Sequence, residues 1–335
     1  MKKLCQKSIG IMAYLMPVLL LYVSSCKKVD PIKFPRGTFP DTTMALTGLN
    51  SPYDDYNVNV LNHMGGYNII LFSSNRESKG GQFDLTQGTI TYSFNQRNGI
   101  FELCSEITKN PFLNELLKAA NTQGDDLGPY SLFSISDGNE YLLLSSANEE
   151  GNLDLYYIYN QPVTDITLPP VYGPHPVTLL NTDSDDAYPC FNTAQDTIYY
   201  TSDREGNFNI YYNSKSSSKA LSAWLSEGFS EGTEVAAVNS SADDKCPFIL
   251  KKIMVFASDR EGGMGGFDLY YSVFRNGEWG EPVNFGPEIN TPYNEYRPVI
   301  GFHEGFTNNY IIFSSDRPGG KGGYDLYFSG VTIPK

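Results

Sequence analysis

The chain has 335 residues, 14% of them aromatic, with 31 glycines, 20 prolines and a formal charge of −14. That balance excludes the basic footprint required by nucleic acid or a phosphate-rich surface. Cys104, Cys190 and Cys246 lie beyond residue 26, and an odd count excludes a complete disulfide framework.

The first 25 residues read as a signal peptide. Lys2, Lys3 and Lys7 make a basic start, and Ile9–Val23 is apolar but broken by Pro17. That run falls short of the roughly 20 residues a spanning helix needs. Val23-Ser24-Ser25-Cys26 resembles a bacterial lipobox, which implies cleavage before Cys26 and lipid on its thiol and new amino group. Two or more acyl chains hold a protein stably on a bilayer. The alternative is a plain secretory signal with a chance cysteine. Residues 26–40 carry charges and three prolines and are expected to form an extended tether. A lipid-anchored position in the cell envelope, at the outer membrane, follows as an expectation.

Residues 41–335 repeat one unit. IIFSSDRPGGKGGYDLYFS at Ile311–Ser329 is echoed by MVFASDREGGMGGFDLYYS at Met254–Ser272. Further copies are TIYYTSDREGNFNIYY (Thr197–Tyr212), YLLLSSANEEGNLDLYY (Tyr141–Tyr157) and ILFSSNRESKGGQFDL (Ile70–Leu85). The second serine of each copy falls at Ser74, Ser146, Ser202, Ser258 and Ser315, giving steps of 72, 56, 56 and 57 residues. A second marker keeps the same count: Asn50, Asn121, Asn181, Asn239 and Asn290, each followed by Ser or Thr. Five residues on stands an acid (Asp55, Asp126, Asp186, Asp244, Glu295), and eight residues on stands Pro129, Pro189, Pro247 or Pro298, with Val58 in the first copy. Two markers in phase decide the architecture.

Each unit reads as four short strands, and the whole predicts an all-β, five-bladed propeller of four-stranded antiparallel blades. The fifth unit runs out after its third strand, so Thr42–Thr47 is expected to supply the missing one and close the ring. The 72-residue step predicts one insertion, a short helix over 112–120 capped by Asn110-Pro111. In blade two, Ser136–Asn139 predicts a tight turn and Gln161–Pro176 a proline-rich loop before the fourth strand. Trp224 and Trp279 are assigned to fourth strands. The Asn-to-Pro segments and the Ser-Asp-Arg loops should share one face of the propeller, the face expected to bind.

The candidate site residues are the five acids and the arginines Arg76, Arg204, Arg260 and Arg317. Convergent carboxylates bind cations, whereas an Asp in a turn also accepts backbone N–H bonds within its own loop. The arginines present a planar fork suited to a carboxylate. Asp84, Asp268 and Asp325 across the turn are the first partners to consider, and the acid of an Asn-to-Pro loop is another. Gly228–Gly232 matches G-x-S-x-G but lacks the strand–elbow–helix that motif needs. His63, His175 and His303 show no metal spacing, and no cofactor motif is found.

SDREGGMGGFDLYYS, SSDRPGGKGGYDLYFS and the preceding D-x-x-P resemble the WD40-like propeller repeat of TolB-type periplasmic proteins. Blade two departs, with Ala147-Asn148 in place of Asp-Arg. The resemblance implies a non-enzymatic propeller that binds an envelope protein partner. The alternative is a glycan-binding or glycoside-hydrolysing propeller, since five-bladed propellers also house glycosidases built on paired carboxylates.

Overall fold

The computed structural model describes residues 31–61, 66–161, 169–216 and 218–334. The signal peptide, Cys26 and His63 lie outside those residues. Blade one holds β2 (Asp55–Val60), β3 (Tyr67–Ser74), β4 (Asp84–Phe94) and β5 (Phe101–Ile107). Helix α1 (Pro111–Ala120) leads to blade two: β6 (Asp126–Phe133), β7 (Glu140–Ala147), β8 (Leu153–Asn160) and β9 (Val171–Pro176). Blade three comprises β10 (Asp186–Phe191), β11 (Thr197–Ser202), β12 (Asn209–Ser214) and, after helix α2 (Leu221–Leu225), β13 (Thr233–Glu234). Blade four has β14 (Asp244–Leu250), β15 (Ile253–Ser258) and β16 (Asp268–Arg275), edged by β17 (Glu278–Trp279) and β18 (Val283–Asn284). Blade five has β19 (Glu295–Gly301), β20 (Asn309–Ser315) and β21 (Asp325–Val331). Its outer strand is β1 (Met44–Ala45), with Met44 opposite Phe328 and Ala45 opposite Tyr327. The five-bladed propeller and its N-terminal closure are therefore as the repeats predict.

The innermost strands touch in the order β2, β6, β10, β14, β19 and back to β2, so the ring is closed. Each of them breaks register at one place, between Tyr56 and Asn59, Leu127 and Tyr130, Ala187 and Cys190, Lys245 and Phe248, Tyr296 and Val299. The first bulge residue has positive φ in every blade: Asn57, Gly128, Tyr188, Cys246 and Arg297. The next is the repeat proline (Val58 in blade one). A residue without an N–H suits the one place where the ladder needs no donor.

The marker asparagines join blade to blade. Asn121 Oδ1 accepts the Leu85 N–H at 2.8 Å while its Nδ2 donates to the Leu85 carbonyl at 3.1 Å. Asn181, Asn239 and Asn290 clamp Leu155, Ile210 and Leu269 in the same way. Asn50 does so to Leu326 of the last blade, which seals the ring. Beside it, Tyr324 N–H donates to Asp54, as Phe83 does to Asp125 and Phe208 to Asp243. The double glycines admit these loops: a Cβ on Gly322 would lie 1.9 Å from the Tyr53 carbonyl oxygen, and one on Gly265 2.1 Å from that of Tyr293.

Three local expectations change. The fourth strand of blade two, β9, lies inside the segment expected to be loop, because Tyr156 to Asn160 offer it a ladder edge. Trp224 sits in α2 rather than in a strand and is buried against Phe191. Finally, the end of the expected tether is packed. Gly37 bridges to Phe306, and the Phe39 ring is buried and stacked on Phe306 with centroids 3.8 Å apart. Burying an aromatic side chain contributes roughly 1.5–3 kcal/mol, enough to hold this stretch down.

Candidate functional site

The acids open the innermost strands, and all five are fully buried. Each accepts the backbone N–H of the residue after its marker asparagine, as Asp186 does from Thr182 at 2.6 Å and Glu295 from Thr291 at 2.8 Å. In four blades an arginine completes the arrangement. Arg204 Nη2 reaches Asp186 at 2.8 Å, Arg260 reaches Asp244 at 2.5 Å and Arg317 reaches Glu295 at 2.9 Å, while Arg76 pairs with Asp55. The serine two residues before each of these arginines receives its Nε at 2.8–3.1 Å. The same guanidinium donates to the carbonyl just before the marker asparagine, Leu49, Leu180, Val238 or Ile289. Aromatic faces lie under it, with Tyr211, Tyr270 and Tyr327 4.8–4.9 Å from the guanidinium carbon.

The arginines thus choose the acid of their own Asn-to-Pro loop over the acids across the turn. Asp268 and Asp325 instead accept N–H groups of the glycine loops, from Met264 and Gly265 and from Lys321 and Gly322. Among the described residues no group of three or more His, Cys, Asp or Glu side chains is placed to hold a metal ion. Cys104, Cys190 and Cys246 are free thiols.

Blade two is the exception. Ala147-Asn148 supplies no arginine, and Asp126 is left with the Thr122 N–H, the Thr122 hydroxyl and the Ser146 hydroxyl. Burial pushes the Asp126 carboxyl up to about 6, against those hydrogen bonds, and the nearby Asp84 carboxylate adds to the shift. Burial also raises Asp84, helped by Glu77 and Asp125. Two carboxyl groups with raised values therefore adjoin where blade one meets blade two. A motif search finds no such pair, because both acids sit at repeat positions; the missing arginine is the signal that marks them.

Around the axis the bulge residues Tyr188, Cys246 and Arg297 are buried, and the Arg297 guanidinium lies 5.5 Å from the Tyr188 ring. No carboxylate occupies that ring of positions. Ser230 of G-x-S-x-G lies in a loop, its N–H on the Leu179 carbonyl, without strand or helix at the motif. On the face opposite the acids, a groove of about 1060 Å³ opens between blades four and five.

No family model and no curated protein matches this chain. Solved structures do. An endo-arabinase from Bacteroides thetaiotaomicron is 11% identical with a TM-score of 0.54, over 88% of this chain and 98% of that one. A thermostable family-43 glycoside hydrolase is 12% identical with a TM-score of 0.52, over 85% and 93%. The catalytic domain of a GH62 α-L-arabinofuranosidase from Coprinopsis cinerea is 12% identical with a TM-score of 0.50, over 90% and 100%.

At that identity the likeness is one of fold. It nevertheless corrects the TolB-type resemblance, which no family model or curated sequence supports. The expectation of a non-enzymatic protein-binding propeller falls with it, because that reading rested on the repeat phrase. The phrase encodes the Arg–carboxylate clamp and the interblade glycines, which any propeller built this way would need.

Proposed function

We propose that this protein is a carbohydrate-active five-bladed propeller that engages and cleaves glycans. The observation that carries the reading is the architecture, five four-stranded blades shared over nearly nine-tenths of the chain with an endo-arabinase and with an arabinofuranosidase domain. The chain's own carboxyls suit that chemistry. Burial pushes the fully buried Asp126 carboxyl up to about 6, in the range of a glycosidase acid, and the half-buried Asp84 beside it offers a second carboxyl nearer the surface.

The test is a reducing-sugar screen of the purified chain on arabinan, arabinoxylan and galactan, beside a glycan array. Release should fall at least about a hundredfold in Asp126→Asn, the range expected for loss of an acid–base group. Asp186→Asn, in an arginine-paired blade, serves as the structural control. Neither sugar release nor retention of any glycan would overturn the reading.

A further inference from the structure

The groove between blades four and five has a charge opposite to that of the molecule. Among its lining residues Arg36, Lys251, Lys252 and Arg275 are cationic and only Glu304 is acidic, in a chain with 24 Lys and Arg against 38 Asp and Glu. The four cations come from three places, the packed tether, the β14–β15 turn and the end of β16, and all four are exposed. Among the described residues none of them takes part in an ion pair.

Two are nonetheless held. The Arg36 guanidinium donates to the Phe306 carbonyl, and the Lys251 ammonium sits 3.8 Å from the centre of the Phe302 ring. Lys251 has φ 56°, a turn conformation that an unbranched side chain adopts only at a cost. Like charges gathered without a counter-charge repel one another, so the arrangement is stabilised when an anion enters.

We infer that this groove binds an anionic glycan, a chain bearing uronate groups; the inference rests on the carbohydrate reading above. The volume accommodates several sugar rings, and its cations stand ready for their carboxylates. An anionic membrane is the competing occupant. It presents a flat surface that meets protruding loops, whereas these cations surround a recess that a strand-like ligand can enter.

The experiment uses the full chain in calorimetric titrations with galacturonate and glucuronate hexasaccharides, each beside its methyl-esterified neutral counterpart. The acidic form of at least one should bind about tenfold or more tightly than its ester, and added salt should erase the difference. Lys251→Asn/Lys252→Gln/Arg275→Gln should remove the preference while leaving the melting temperature unchanged, since Asn tolerates the left-handed backbone at 251. Lys118→Gln, on the exposed face of α1, should change nothing.

Equal binding of acid and ester, or neutral glycans bound or cleaved while both acidic chains are ignored, overturns this inference and leaves the carbohydrate reading standing. Failure of every glycan overturns both. Lysine-dependent binding to phosphatidylglycerol vesicles without oligosaccharide binding assigns the groove to a membrane and overturns the inference.

Discussion

Blade four and blade two solve one problem in two ways. Both begin the inner strand with a buried aspartate that accepts the N–H of a neighbouring Ser or Thr. Blade four then brings Arg260 onto Asp244, with Ser258 and the Val238 carbonyl sharing the guanidinium. Blade two brings nothing cationic, and burial, with the Asp84 carboxylate adding to it, raises Asp126 to about 6. A buried carboxylate can be kept by pairing or by holding its proton, and the second choice leaves a group whose charge changes near neutral pH. Four blades took the structural solution. Blade two alone took the other.

The largest effect should come from breaking the pair in blade four. Arg260→Met leaves Asp244 buried and uncompensated and should cost about 3–5 kcal/mol in denaturant unfolding. Arg260→Met/Asp244→Asn should recover much of that loss. A cost under about 1 kcal/mol for the single change would show that the clamp matters no more than its absence does in blade two.

Next comes the pH dependence of Asp126. Its folded value lies above the ordinary carboxylate value of 3.8, so the protonated form is the one that fits. Its contribution to stability is therefore complete below about pH 4 and lost as pH rises through 6, about 3 kcal/mol in all. Urea midpoints at pH 4.5 and 7.5 should differ between wild type and Asp126→Asn by that component, with the variant gaining at the higher pH. A pH-independent difference between the two would break the comparison.

The interblade clamps should be weaker and equal. Asn50→Ala removes both bonds to Leu326 and leaves its buried N–H unpaired, while the carbonyl keeps the Leu46 N–H, costing about 2 kcal/mol. Asn121→Ala should cost the same at Leu85, and the exchange rates of those two amides report each loss separately. Smallest of all, Ala147→Asp/Asn148→Arg rebuilds the missing pair. It should add about 1 kcal/mol at pH 7.5 and flatten the pH step of the wild type.

The repeat was legible because each marker is a local device copied five times. Asn50 and Asn290 do the same work at either side of the ring, so their spacing reports the blade count directly. Thr42–Thr47 was legible by subtraction, since the last unit lacked a strand. What each marker does was not legible. The side chain of Asn121 bonds across to Leu85, 36 residues earlier, and nothing in the phrase names its target. Helix α2 was missed because Leu221–Leu225 is too short to show a period, and its N-terminus takes its support from Asp137, 84 residues away. The groove was invisible for a similar reason. Arg36, Lys252 and Arg275 share no motif and meet only because the tether folds back beside blade five.

That folding back has a consequence for how the molecule comes to exist. Asn50 and Leu326 are 276 residues apart, yet they share two hydrogen bonds. Until that late segment has been made, the earlier blades form an open arc with a raw strand edge at each side, the kind of surface that invites mispairing. Completion depends on a contact between the two ends of the ring, so folding should be slow and all-or-none. A cut between Ala45 and Asn50, which frees β1, should then weaken the whole wheel, including blades that never touch that strand.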